Sequence, residues 1–316
     1  MASYLLKRLL LLALVAWGAT AAVFVLLRVV PGDVATAVLG PEGTANPQAA
    51  ARLREALGLD RPLVVQYLRW VGGLLRLDPG HSLWRGVPVW ELVAPKAAVT
   101  AELALLSLAA GVTVAVPAGV LAARFPGTWV DGAVRLFTVG GLAVPGFWLG
   151  ILVVLALASH AGYFPFLVYR PLTGDPWGHL QQLAIPALVL GWRLAAVTAR
   201  MVRASLLEAL REDYVRTARA KGLPERAVVG RHALRNASLP VVTLVGFQAG
   251  HLLGGTVVIE QVFNLPGLGR ALVDAVLARD YPVVQLLVLG FALAMLAVTL
   301  LVDLAYAWLD PRVRYR

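Results

Sequence analysis

One stretch of this sequence combines charge, glycine and proline in a pattern that favours contact with another macromolecule. It is the basic segment, residues 208–240, which reads EALREDYVRTARAKGLPERAVVGRHALRNASLP. Residues 200–235 contain nine lysines and arginines against four acidic residues. Apolar spacing predicts a helix over residues 205–220, Gly222 ends it, and a proline two residues later begins a second helix. Small residues at the tip of such a protrusion would let a groove on another protein approach the backbone closely.

The sequence lacks the patterns of several common chemistries. It contains no cysteine, which excludes disulfides, thiolate metal sites and a cysteine nucleophile. Its histidines form no i, i+4 pair, so we expect no metal site. It has no G-x-x-x-x-G-K-[ST] loop to cradle nucleotide phosphates, so we expect no cofactor on this chain. The net charge of +10 flanks apolar runs and predicts a positive-inside membrane protein rather than one that binds nucleic acid.

The basic segment lies between apolar runs that are long enough to cross a bilayer. Of 316 residues, 59% are hydrophobic and 15% are charged, which indicates an integral membrane protein of the all-α class. Six spans of suitable length are predicted, the first as a retained helix rather than a cleaved signal peptide. They cover residues 9–30, 97–123, 136–161, 183–201, 239–259 and 283–309.

Lysine and arginine in the connections predict the orientation of these spans. With the N-terminus inside, 16 such residues lie on the inner side and 10 on the longer outer side. Both termini and the basic segment are therefore expected in the cytoplasm. The outer region 31–96 is predicted to form two short helices after an Asn46-Pro47 start, and a third short helix should follow the Pro266-Gly267 turn. We expect residues 1–30 and 97–309 to form the membrane part and 310–316 a cytoplasmic tail.

Four segments, in order along the chain, resemble the permease subunits of binding-protein-dependent ABC importers, and more narrowly the first permease type of the dipeptide/oligopeptide/nickel family. They are YLLKRLLLL with LLRVVPGD, LGLDRPLVVQYLRWVGGLL, YVRTARAKGLPERAVVGRHALRNASLP, and VVIEQVFNLPGLGRALVDAVLARDYPVVQ with LVDLAYAWLDPRVRY. The resemblance implies a type I ABC importer permease fold, with a five-helix core, one extra N-terminal helix and a long outer loop. It also implies inward transport of a small solute, di- or oligopeptide above others, across the cytoplasmic membrane.

In this family the loop that resembles the basic segment is a coupling helix seated in a cleft of the ATP-binding subunit. Its general form begins Glu-Ala-Ala, whereas Arg216-Thr217-Ala218 stands here, as in the peptide-permease variant. The resemblance places the coupling loop at about residues 204–237 and implies a set of coupling residues at or near the partner. They are Glu208, Asp213, Tyr214, Arg216, Thr217, Ala218, Lys221, Gly222, His232, Asn236 and Pro240.

The partners implied by the resemblance are a second, homologous permease in a heterodimer, two ATP-binding subunits that hold ATP and Mg, and an extracytoplasmic substrate-binding protein. Membrane lipid surrounds the spans. Three alternatives stay open: an ion-gradient-driven secondary transporter, a membrane scaffold that recruits an ATPase without transport, and a basic segment that binds lipid headgroups.

Polar residues inside the spans are the remaining candidates, because charge in a bilayer is costly. Arg193 is expected near mid-membrane, where it would either attract a substrate carboxylate or form a structural ion pair. Phe147 and Trp148 either line the substrate pathway or pack in the core. Glu102 and Asp303 are each expected to cap a helix or pair with another group near the membrane edges, with a proton relay as the alternative.

Overall fold

The computed structural model describes residues 2–29, 35, 39, 46–161 and 169–309 of the chain. Nearly all of these residues are helical and none belongs to a β-strand, which confirms the all-α class. Five helices are long and apolar enough to cross a membrane, and a bent pair makes a sixth span. The helices are α1 (Ala2–Val29), α2 (Pro47–Ala56), α3 (Leu63–Leu75), α4 (Val89–Arg124), α5 (Trp129–Ala143), α6 (Gly146–Ala161), α7 (Pro176–Ala209), α8 (Asp213–Ala220), α9 (Glu225–Ala227), a π-helix (Val228–Ala233), α10 (Leu234–Val262), α11 (Leu268–Ala278) and α12 (Tyr281–Leu309).

Helices α2 and α7 each begin at a proline that follows an Asn or Asp cap residue. This combination explains why both helices start sharply. The Asn46 side chain accepts a hydrogen bond from the Ala49 N–H at 3.1 Å, and the Asp175 carboxylate accepts one from the Gly178 N–H at 2.9 Å. In each case proline occupies the first helical position, where no N–H is needed. The bond from Gly178, together with the Arg170 guanidinium, holds the pKa of the Asp175 carboxyl below its usual range.

The predicted span 136–161 is divided between α5 and α6, which meet at an angle of 102°. Val144 is extended, with φ −86° and ψ 121°, because the Pro145 ring disfavours a helical residue before it. The sequence predicts one continuous span here, whereas the proline divides the stretch into two helices of about equal length.

The chain divides into two compact units. The first contains Met1–Val99 and Pro266–Leu296. Its apolar core joins the start of α4 to α11 and α12 through Val89, Ala275 and Leu287, among others. The buried Asp280 accepts hydrogen bonds from the Ser82 hydroxyl and from the Leu83 N–H, so it ties the turn before α4 to the end of α11. Helices α2, α3 and α11 lie where the sequence predicts three short helices.

The second unit contains Thr100–Leu265 and Ala297–Val313, and α7 is its central helix. In α7 61% of the apolar span is buried, against 17–33% in the other long spans. Helices α4 and α7 cross with their backbones in contact, because a Cβ on Gly191 would lie 2.7 Å from the Ser107 carbonyl and one on Gly119 would lie 2.7 Å from the Ala199 carbonyl. Small residues at such crossings are typical of membrane helices, where close approach supplies the packing energy.

Candidate functional site

The basic segment folds as two short helical pieces joined by a glycine turn. Helix α7 ends at Ala209, and α8 begins at Asp213. The single helix predicted over residues 205–220 is therefore wrong, since Leu210 caps α7 and the chain turns before α8. The reason lies in packing: the turn lets Val215 fold back onto Leu206, whereas a continuous helix would have carried that apolar face into water.

An apolar core supports the segment from below. Val215 and Ala218 of α8 are buried against the end of α7 and against the π-helix. The whole cluster consists of Ala123, Leu206, Ala209, Val215, Ala218, Val228, Val229, Ala233 and Ala237. Because the apolar side of α8 is buried in this core, its polar side is left exposed.

The glycine turn has the geometry that the sequence predicts. Gly222 has φ +77°, in the left-handed region that favours glycine, and its N–H bonds to the Arg219 carbonyl at 2.9 Å. The Arg219 guanidinium spans the turn, with 2.8 Å from its Nη2 to Glu225 Oε1 and 3.3 Å from its Nε to Oε2. The clamp and the turn hold α8 at a set angle to the helix that follows.

The predicted coupling residues lie in three different environments. Nine are exposed on the segment or just after it, Ala218 is buried in the supporting core, and His232 is half-buried in the π-helix. Arg216 is paired with Asp213 at 3.3 Å on the open face of α8. The exposed residues beyond that pair are Glu208, Tyr214, Thr217, Lys221, Gly222, Asn236 and Pro240.

A carboxylate that the sequence analysis does not single out links α5 to the end of α7. Asp131 is 1% exposed and accepts two hydrogen bonds from Arg203, at 2.7 and 2.9 Å. Arg135 donates two more, at 3.2 and 2.6 Å, and the Gly127 N–H donates a fifth at 3.0 Å. Arg203 lies one turn before Leu206, so this cluster connects the apolar core under α8 to the bent helix pair.

Arg193 lies in a cavity of about 360 Å³ between α6, α7 and α10. Phe147 at the start of α6 lines the same cavity, whereas Trp148 is half-exposed and is not among the lining residues. Gln248 and His251 of α10 complete its polar lining. No described residue forms an ion pair or hydrogen bond with the Arg193 guanidinium.

Two other acidic groups in the second unit have partners. Glu102 Oε2 lies 2.9 Å from Nε2 of the buried His179, which confirms that Glu102 forms a pair. Burial raises the pKa of the neighbouring Tyr169 hydroxyl, and the Glu102 charge adds to that shift. Glu260, which sequence reasoning missed, is fully buried and accepts a 2.7 Å hydrogen bond from the Thr100 hydroxyl. Its sequence signal is an acid placed directly after an apolar run. The side chain of Asp303 lies outside the described residues.

Comparison with known proteins gives two family matches that cover most of the chain. Residues 115–315 match the model of the binding-protein-dependent transport system inner membrane component. Residues 1–101 match the model of the N-terminal part of the same kind of membrane component.

Several relatives are similar along nearly their whole length. The chain is 43% identical to a putative peptide transport system permease protein of Brucella abortus over 292 residues, 92% of each chain. It is 41% identical to a probable peptide ABC transporter permease protein of Sinorhizobium fredii over 295 residues, 93% of each. It is 40% identical to a glutathione transport system permease protein of Escherichia coli over 316 residues, 100% of each.

Proposed function

The chain belongs to the family of binding-protein-dependent transport system inner membrane components and is a multi-pass permease subunit of an ABC importer, and we propose that the basic segment is the surface through which two separate ATP-binding subunits drive it. The single observation that carries this proposal is the construction of α8: one face is buried in a core shared with α7, and the opposite face is open. If an ATP-binding subunit moves the open face of α8, the shared core therefore transmits that movement to α7.

The contact with the ATP-binding subunit involves the exposed side of α8 and the turn after it. Tyr214, Arg216 and Thr217 supply an aromatic ring, a cation and a hydroxyl, and Lys221 and Gly222 form the tip. Glu208 lies at the end of α7 and Asp213 begins α8, whereas Asn236 and Pro240 lie at the start of α10. Ala218 and His232 act from beneath, by holding α8 and the π-helix in place.

The same mode of action requires further subunits beside this chain. A second, homologous permease pairs with this chain and completes the passage, and an extracytoplasmic binding protein delivers the solute to it. ATP and Mg bind in the ATP-binding subunits, and this chain hydrolyses no ATP. Rigid-body rotation of the two permeases would alternate access between the two sides of the membrane, provided that substrate affinity differs between the two states.

The transported solute is a small peptide or a peptide-like molecule such as glutathione. Support comes from relatives named for peptide and for glutathione transport at 40–43% identity. Arg193 and Phe147 lie on the substrate pathway, because they share the cavity between α6, α7 and α10. Trp148 belongs to the same turn but is half-exposed and does not line this cavity.

Reconstitution tests the transport proposal directly. The chain, its partner permease and the ATP-binding subunits are placed in liposomes with the binding protein, and uptake of labelled trialanine and glutathione is measured. We expect uptake that requires ATP and ignores a proton gradient. Uptake that continues without nucleotide but stops when the proton gradient is collapsed would support the secondary transporter and overturn the proposal.

A matched charge reversal tests the surface. Arg216→Glu reverses a cation on the open face of α8, and Arg76→Glu makes the same change at an exposed position after α3. Only Arg216→Glu should reduce co-purification of the ATP-binding subunits. Equal losses in both variants, or none in either, would contradict the assignment. Because the chain has no cysteine, Arg216→Cys and Arg76→Cys labelled with a membrane-impermeant maleimide also report which side of the membrane each occupies.

A further inference from the structure

The cavity between α6, α7 and α10 contains an arginine at the centre of a membrane-spanning helix. Arg193 is 17 residues from the first and 16 from the last residue of α7. At about 1.5 Å per residue it therefore lies about 25 Å from either end. A cation at that depth is costly and is found where it has a partner or faces water.

Two acidic side chains within the helices of the second unit have their partners within the chain. Asp131 is bound by Arg203 and Arg135, and Glu102 is paired with His179. Arg193 differs, since the described residues offer its guanidinium no acceptor. Its side chain is exposed in the cavity, which leaves its five N–H donors available to a ligand.

Two hydrogen-bond acceptors line the same cavity. The Gln248 amide donates to the buried Thr198 hydroxyl at 2.9 Å, which fixes its orientation and leaves Oε1 free of any described donor. His251 Nδ1 lies 3.1 Å from the Phe247 carbonyl, so Nδ1 must carry the hydrogen and Nε2 of the neutral ring is an acceptor.

A peptide terminus has the complementary set of groups. Its carboxylate accepts two parallel hydrogen bonds from a guanidinium, and its amide N–H groups donate to carbonyl or imidazole acceptors. The remaining wall of the cavity is apolar, formed by Phe147, Val189 and Val258 among others, and suits side chains of varied shape. A volume of about 360 Å³ is at the small end of ligand pockets, which hold about 300–1,000 Å³.

We propose that Arg193, Gln248 and His251 form a transient binding subsite for the C-terminal end of the transported peptide. Arg193 binds the terminal carboxylate, and Gln248 Oε1 and His251 Nε2 accept hydrogen bonds from peptide N–H groups. This inference rests on the proposed function, because it names the part of the substrate that the pathway recognises.

Chemical replacement of the charge tests the subsite. Arg193→Cys introduces the only thiol of the chain, which a cationic aminoethyl, an anionic sulfonatoethyl or a neutral methyl methanethiosulfonate can modify. ATP-dependent uptake of trialanine and glutathione is measured in proteoliposomes after each treatment. We expect the thiol variant to lose about tenfold in uptake, equivalent to about 1.4 kcal/mol. The cationic reagent should recover at least half of the wild-type rate, and the other two should not.

Two controls separate charge from bulk and from side reactions. Leu190→Cys lines the same cavity one turn before Arg193, and there the cationic reagent should not raise uptake above that of the untreated variant. Wild-type permease treated in parallel reports any modification of the partner subunits.

Comparison of trialanine with trialaninamide identifies the recognised group. Loss of Arg193 should reduce uptake of the free acid and leave uptake of the amide at its wild-type level. Equal losses for both peptides, recovery with the anionic reagent, or full activity of Arg193→Cys would each overturn the subsite while leaving ATP-dependent transport intact. Absence of ATP-dependent uptake of both probes in the wild-type complex is a different result and would overturn the proposed function together with the subsite.

Discussion

Replacement of Gly222 by alanine tests whether the left-handed turn after α8 is needed for coupling. A Cβ at Gly222 would meet no atom within 4 Å, so the substitution introduces backbone strain without a steric clash. Gly230 is the matched control. Its added Cβ also meets no atom within 4 Å, but it lies in the π-helix Val228–Ala233, where alanine fits without strain.

The size of the effect follows from the backbone angle. Gly222 has φ +77°, and a left-handed conformation costs an ordinary L-residue about 1–2 kcal/mol. That energy corresponds to a change of about 5–30-fold in a two-state population. The Arg219–Glu225 clamp and the apolar core under α8 oppose unfolding, so we expect α8 to remain formed but its angle to vary. Valine should be worse than alanine, and asparagine milder, since asparagine tolerates this region.

The assay measures uptake and ATP hydrolysis in the same proteoliposomes, with membrane insertion checked by immunoblot. Gly222→Ala and Gly222→Val should insert normally and transport fewer molecules per ATP, whereas Gly230→Ala should match the wild type. Unchanged transport per ATP in the valine variant would refute the reasoning. An equal loss in Gly230→Ala would show that any change in this region suffices, which would also refute it.

Asp131→Asn and Arg203→Gln should each lower the thermal stability of the purified permease. The stability loss of the double variant should be smaller than the sum of the two single losses, because each substitution removes the same interaction between the two side chains. Additive losses in a double-mutant cycle would contradict direct coupling. Gly119→Ala should lower the free energy of unfolding by about 1–3 kcal/mol, because its Cβ would be forced against the neighbouring helix. Gly132 has open space around it, so Gly132→Ala should leave that free energy unchanged in the same denaturation assay. Glu102→Ala should cost about 1–3 kcal/mol by leaving Nε2 of the buried His179 without its partner, and Glu102→Gln should recover part of that loss. Equal stability of the two variants would argue against the pair.

The sequence correctly predicts the features that depend on residues close to one another in the chain. The starts at Pro47 and Gly267, the left-handed Gly222 and the helix after Pro224 all follow from local backbone preferences. The break between α7 and α8 does not, because apolar residues continue at helical spacing through Leu210 and the turn is selected by packing against Leu206 and Val228.

Long-range pairs were not predictable for a different reason. Asp131 and Arg203 are 72 residues apart, and Thr100 and Glu260 are 160 apart. A single sequence contains no pattern that joins such positions, since the pairs form only when the helices cross. The sequence shows that Arg193 is unusual from its depth in an apolar run, whereas the two acceptors beside it belong to another helix and meet it only in the folded chain.

The charged residues within the second unit separate into two groups according to whether their partners lie in the chain. Asp131 is satisfied by five donors, and removal of any partner leaves a buried charge, so this group can move only with α5 and α7 together. Such a cluster would suit a joint between the surface proposed to contact the ATP-binding subunit and the bent helix pair, because its hydrogen bonds would keep their geometry if its surroundings moved.

Arg193 has no such constraint. Its charge is stabilised only by water or by a ligand, so its free energy depends on what occupies the cavity. If rotation of the permeases changes access of water to that cavity, substrate affinity at Arg193 changes with it, and this dependence supplies the difference in affinity that directional transport requires.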